Sequence, residues 1–194
     1  MKRREFCLGI LSAAGVAAFG GSLSLAKGDS SLLRPPGGGD EDRLIGACIR
    51  CDRCRSACPR QCIALGALED GWINAETPYL DFSRGYCDFC TDDEGGPRCV
   101  RVCPTGALGS AGTRTDFIGV AVLDASQCVH CQKCVPACSY EALVWDESNQ
   151  LPIVDEDACN GCGACEYACP SASYGYYNGA TRRAIAVEKG RDVQ

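Results

Sequence analysis

Sixteen cysteines in four groups constrain this chain more than any other feature of its 194 residues. They are Cys48, Cys51, Cys54 and Cys58; Cys87, Cys90, Cys99 and Cys103; Cys128, Cys131, Cys134 and Cys138; and Cys159, Cys162, Cys165 and Cys169. The first, third and fourth groups read C-x2-C-x2-C-x3-C, and the second carries an insertion after its second cysteine. Pro59, Pro104 and Pro170 follow the last cysteine of three groups, and Ser139 follows the other. Thiolates at i, i+3 and i+6 lie on one tight loop and can hold three corners of an iron–sulfur cube. The fourth, at the start of a helix and turned away by proline, reaches the neighbouring cube. The spacing predicts four [4Fe-4S] clusters with these sixteen cysteines as ligands.

Two other uses of so many cysteines fit the spacing badly. A disulfide scaffold, usual for a cysteine-dense exported chain, needs no such triplets. Structural zinc takes two separated C-x2-C knuckles per ion and leaves the third cysteine of each triplet without a task. Of the remaining cysteines, Cys62 occupies the place that Ala107, Ala142 and Ser173 hold in the other groups, so it reads as a small buried residue beside a cluster. Cys7 goes with the leader. His130, between Cys128 and Cys131, reads as a solvent-facing loop residue.

Composition agrees with a cluster-built core. Aromatic residues make up only 7% of the chain, so bound clusters must replace bulky side chains, and metal binding becomes folding free energy. A net charge of −6 argues against a nucleic-acid partner, which would want a basic face. A single histidine excludes most zinc hydrolases and Ser-His-Asp catalysis. Each group has its full four thiolates and leaves no open iron position. The expected role is an electron carrier that passes one electron per cluster, not an enzyme.

Residues 1–26 read as a leader. Lys2, Arg3 and Arg4 precede an uncharged run from Cys7 to Ala26, and Arg3-Arg4-Glu5-Phe6 matches the twin-arginine export signal. That route carries folded protein, which suits clusters assembled in the cytosol. Cleavage after Ala26 is favoured, and the alternative is a retained anchor with membrane association, since 20 helical residues span about 30 Å. Residues 27–46, with Pro35-Pro36-Gly37-Gly38-Gly39, read as an exposed linker. Residues 47–194 form the four-cluster region.

The segments between the groups predict an α+β fold of two dicluster modules. Short strands are expected at Tyr79–Phe82, Ala107–Leu108, Ile118–Leu123, Ala142–Trp145, Ile153–Asp155 and Ala184–Val187, with a hairpin turn at Glu147–Gln150. Groups two and three have strands on both sides, so a nested order uses the strands best. An inner module of about 79–150 would then sit within an outer one of about 47–78 plus 151–190. That order joins Cys138 to Cys87, Cys90 and Cys99, and Cys103 to Cys128, Cys131 and Cys134. It also joins Cys169 to Cys48, Cys51 and Cys54, and Cys58 to Cys159, Cys162 and Cys165. Sequential pairing is the alternative, favoured by the compact gap between Cys138 and Cys159. Thr91-Asp92-Asp93-Glu94, inside the group-two insertion, is a candidate acidic landing site for a basic partner.

The chain resembles the NapG/MauM family of ferredoxin-type proteins. The likeness rests on the Arg-Arg leader, Leu33-Arg34-Pro35-Pro36-Gly37, Ala47-Cys48-Ile49-Arg50-Cys51 and Thr77-Pro78-Tyr79. It continues through Arg101-Val102-Cys103-Pro104-Thr105-Gly106-Ala107-Leu108 and Gly119-Val120-Ala121-Val122-Leu123-Asp124, and covers residues 3–124. The resemblance implies a periplasmic protein relaying electrons between a membrane quinol-linked redox partner and an extracytoplasmic terminal oxidoreductase. The runner-up is a fixed ferredoxin subunit of an exported molybdopterin oxidoreductase.

Overall fold

The computed structural model describes residues 32–109, 115–172 and 182–189, so the leader and the tail tyrosines Tyr174, Tyr176 and Tyr177 lie outside the described residues. Two modules follow one another along the chain. The first contains helices α1 (Glu41–Ala47) and α2 (Arg53–Ala57), strands β1 (Ile63–Leu65) and β2 (Pro78–Leu80), and helix α3 (Arg98–Arg101). The second runs β3 (Val120–Leu123), α4 (Cys134–Ala137), β4 (Leu143–Asp146), β5 (Leu151–Val154), α5 (Ala164–Ala168) and β6 (Ile185–Glu188). Each strand pairs with one antiparallel neighbour. β1 lies on β2 with Ile63 opposite Leu80, β4 on β5 with Leu143 opposite Val154, and β3 on β6 with Val120 opposite Glu188. Helix α2 packs on α3, and α4 on α5.

The cysteine groups dictate why these helices are so short. The fourth cysteine ends a helix and does not begin one as expected: α2, α4 and α5 each close at a C-cap that is the last cysteine of its group, Cys58, Cys138 or Cys169, in extended backbone. Proline after Cys58 and Cys169 disfavours helical backbone at the residue before it, so the helix stops there and the thiol swings out of the helix line. Buried cysteines fill the space that large side chains would occupy elsewhere. Cys62, Cys87 and Cys99 sit in the core of the first module with Leu44, Phe82 and Phe89, and Cys134, Cys165 and Cys169 in that of the second with Leu143 and Ile185.

The expected linker is not a linker over its described part. Residues 34–38 are buried, and residues 41–47 form α1, whose N-cap Asp40 accepts a hydrogen bond from the Arg43 amide at 3.0 Å. Leu33 C=O accepts from Leu80 N–H at 2.8 Å, and Gly37 C=O accepts from Gly109 N–H at 3.0 Å. The segment closes the first module much as β3 and β6 close the second. Pro35 and Pro36 have no N–H, so it cannot form a regular ladder. That is also why Ala107–Leu108, expected as a strand, is buried but forms none.

Arg34 pins this segment. Its guanidinium donates to Thr77 Oγ1 and the Pro78 carbonyl, both at 2.9 Å, and to Asn74 Oδ1 at 2.8 Å, and it pairs with Glu41. Burial alone would raise the Glu41 carboxyl, but Arg34 and then Lys189 outweigh it and hold that carboxyl below the usual range. A proline-glycine run therefore reads as loose in sequence and is fixed in space by one buried cation. Replacing Arg34 by Ala removes the buried cation that Glu41, Asn74 and Thr77 share, leaves Glu41 only its longer contact with Lys189, and should cost about 3–5 kcal/mol. Chemical unfolding of the cluster-loaded protein measures this, and protease sensitivity at residues 33–46 should rise with it.

Candidate metal centres

The backbone of three of the four cysteine groups follows one pattern, and the second departs from it in part. Residues two and four positions after the first cysteine have positive φ in three groups: Arg50 and Asp52, His130 and Gln132, Gly161 and Gly163. In the second group the insertion moves the pair to Phe89 and Cys90. A further positive φ falls three residues after each last cysteine, at Gln61, Gly106, Glu141 and Ala172. Alternating right- and left-handed residues curl the chain so that successive N–H groups face one concavity, the geometry that receives an anionic group. The amides of His130 and Ala121 donate to Cys128 Sγ and Cys159 Sγ, each at 3.4 Å.

Four cavities take up all sixteen thiols. Site I, of about 390 Å³, is lined by Cys48, Cys51, Cys54 and Cys103. Site II, about 310 Å³, has Cys58, Cys87, Cys90 and Cys99. Site III, about 330 Å³, has Cys138, Cys159, Cys162 and Cys165. Site IV, about 320 Å³, has Cys128, Cys131, Cys134 and Cys169. Each site takes three cysteines from one group and the fourth from its partner group.

This geometry corrects the nested order. Group one exchanges its fourth cysteine with group two, and group three with group four. Cys138 shares a cavity with Cys159, Cys162 and Cys165, not with Cys87, Cys90 and Cys99. The reason lies in the strands. β2 turns back on β1 instead of leading an inner module, and the β4–β5 hairpin folds the short Cys138–Cys159 gap on itself. Ahead of group one, residues 33–38 take the place of a strand. Modules of 79–150 and 47–78 plus 151–190 are therefore replaced by sequential ones.

The modules meet between sites II and III. The Cys87 amide donates to the Cys162 carbonyl at 2.8 Å. Arg183 bridges the Phe82 and Glu166 carbonyls. Gly163, at φ +79°, lies so close to Phe82 that an added Cβ would stand 2.3 Å from its ring. Exposure follows the same order. Cys51 of site I and Cys131 of site IV are exposed, while no cysteine of sites II or III is.

Protonation of the free thiols is set mainly by burial. It pushes Cys54, Cys134 and Cys162 up to about 11, and Cys99 and Cys165 also upward. Metal binding at these sites must displace protons. Cys58 runs the other way, lowered to about 6 chiefly by its hydrogen bond with Cys62, 3.7 Å away. Cys62 is pushed up by its bonds to Cys58 and Cys87 and by burial, so it keeps its proton and donates. The small buried residue expected from sequence thus also lies in the wall of site II, with its one S–H beside Cys58.

The donor sets fit [4Fe-4S] clusters. Each has four thiols of the cysteine groups around a space, with Cys62 as a fifth in the wall of site II, and among the described residues no three His, Cys, Asp or Glu side chains are arranged to hold a single metal ion. Site IV adds an observation that sequence reasoning missed. Trp145 lines it, and the indole Nε1 is buried with no hydrogen-bond partner. Two other expectations resolve against solvent. His130 is exposed, with Nδ1 2.7 Å from the Gln150 carbonyl. Within the acidic landing site Asp93 pairs with Arg98 at 2.5 Å and with Arg101 at 3.1 Å, and Asp92 and Glu94 are exposed. Among the described residues no helix is long and apolar enough to cross a membrane.

Comparison with known proteins divides the chain in the same way. Residues 40–108 and residues 127–173 each match a family described as a 4Fe-4S dicluster domain, one spanning groups one and two, the other groups three and four. The ferredoxin-type protein NapG of Escherichia coli K12 is 36% identical over 191 residues, covering 86% of this chain and 80% of that protein. The methylamine utilization ferredoxin-type protein MauM of Methylorubrum extorquens is 33% identical, covering 86% and 84%. The ferredoxin-type protein NapF of Escherichia coli K12 is 31% identical over 147 residues, covering 73% and 82%. The likeness thus extends beyond residues 3–124, where the sequence motifs placed it. Its paired dicluster domains and these relatives make the chain a member of the NapG/MauM family of ferredoxin-type iron–sulfur electron-transfer proteins.

Proposed function

We propose that this chain is an electron-transfer protein holding four [4Fe-4S] clusters in the order site I, II, III, IV. Cys48, Cys51, Cys54 and Cys103 ligate the first, and Cys58, Cys87, Cys90 and Cys99 the second. Cys138, Cys159, Cys162 and Cys165 ligate the third, and Cys128, Cys131, Cys134 and Cys169 the fourth. A bound [4Fe-4S] cluster takes up and releases one electron at a potential set by its surroundings. The observation that carries this reading is the division of sixteen thiols among four cavities with the inner two joined by the Cys87–Cys162 backbone hydrogen bond.

The chain's own part is to position and insulate. The Cys87–Cys162 bond and the Phe82–Gly163 contact hold the halves in register. Sites II and III have no exposed thiol, which limits water in the middle of the path, and the outer loops of Cys51 and Cys131 present its two ends to redox partners. Those partners are a membrane quinol-linked protein and an extracytoplasmic terminal oxidoreductase, and the Arg3-Arg4 leader directs the folded, cluster-loaded chain across the membrane by the twin-arginine route. Support for this comes from the leader sequence and from the relatives, whose names describe ferredoxin-type proteins.

Two outcomes test the arrangement. Cys138→Ser and Cys162→Ser should remove the same low-temperature EPR signal of the reduced protein, and Cys87→Ser a different one. If Cys138→Ser and Cys87→Ser remove the same signal, the ligand sets are wrong. Gly163→Ala puts a methyl group into the Phe82 ring and forces a left-handed alanine, a cost of about 1–2 kcal/mol for the backbone alone. Where iron and sulfide analysis shows all four clusters retained, pulse radiolysis should find slower electron passage between the halves.

A further inference from the structure

The indole of Trp145 is the loose end of site IV. Nε1 is the one buried side-chain nitrogen or oxygen among the described residues with no hydrogen-bond partner. An indole N–H can only donate, and leaving it unpaired away from water costs about 1–3 kcal/mol. None of the four thiols of site IV accepts from it, although Trp145 lines the same cavity as Cys128, Cys131, Cys134 and Cys169. The space beside Trp145 in that cavity is where an acceptor would sit.

The first module supplies an internal comparison. Trp145 stands seven residues after Cys138, and Leu65 stands seven residues after Cys58. Each ends up lining the site at the outer end of its own module, Leu65 at site I and Trp145 at site IV. One place in the fold therefore carries an N–H donor in one module and a hydrocarbon in the other.

We propose that the Trp145 indole N–H donates to a sulfur of the cluster in site IV and raises that cluster's reduction potential. This rests on the four-cluster reading above. Reduction adds negative charge to the cluster, a hydrogen bond to its sulfur stabilises the more negative state, and hydrogen bonds to the sulfurs are among the factors that set such potentials. The two outer ends of the path are then made unequal by residue choice at one position. Trp145 is a tuning residue and is not needed for ligation.

Trp145→Phe keeps the aromatic ring and removes the donor. In a redox titration of the full chain followed by EPR, one cluster signal should shift so that, at its wild-type midpoint, its reduced-to-oxidised ratio falls by roughly three- to tenfold. The other signals should stay in place. A variant that keeps all four clusters with no shifted midpoint overturns the inference and leaves the four-cluster reading intact. Fewer than four clusters in the wild type would instead sink that reading. Should the variant fail to assemble, a second measurement uses the native residue: pulsed EPR of reduced protein with 15N-labelled tryptophan in a Trp72→Phe background. Coupling of the label and an exchangeable proton to one cluster supports the bond, and absence of both refutes it.

Discussion

The exchange of one thiol between paired cysteine groups is the constraint on which the rest of this structure depends. Each loop of three cysteines supplies only three sides of a cavity, and the fourth comes from a residue beyond a short helix in the partner group. Cys103 completes site I, Cys58 site II, Cys138 site III and Cys169 site IV. The helices between third and fourth cysteines must then lie side by side, as α2 does on α3 and α4 on α5. The strands close the modules around that crossing. With so few aromatic residues, free energy of cluster binding replaces much of what a larger apolar core would supply.

What the sequence made legible was local. The i, i+3, i+6 spacing predicted which cysteines gather, and the β-branched runs predicted β3, β4 and β5, because both signals act within a few residues. Pairing of the groups is not local. Strands at Tyr79 and Ile118 looked like the two sides of one inner module, yet β2 pairs backward with β1 and β3 pairs forward with β6. The run at residues 33–46 misled for a related reason. Proline and glycine signal loose chain unless a distant partner fixes them, and the partners of Arg34 at Asn74, Thr77 and Pro78 are some forty residues away. The left-handed positions in the loops were also invisible, since only the fourth group spells both of them with glycine.

Function follows from the same geometry. Two modules joined at Cys87 and Cys162 leave one exposed thiol at each end, Cys51 in site I and Cys131 in site IV, and none in the two sites between. Of the acidic run in the group-two insertion, Asp93 is paired with Arg98 and Arg101, while Asp92 and Glu94 are exposed. Differences between the two ends lie in what lines each outer site, Leu65 at one and Trp145 at the other.

Anomalous diffraction at the iron edge from crystals of the cluster-loaded protein tests the central claim most directly. The account predicts iron clusters at all four sites, in the order I to IV, with Cys138 bound together with Cys159, Cys162 and Cys165. Iron joined to Cys138 together with Cys87, Cys90 and Cys99, or a site lacking iron in fully loaded protein, would contradict it.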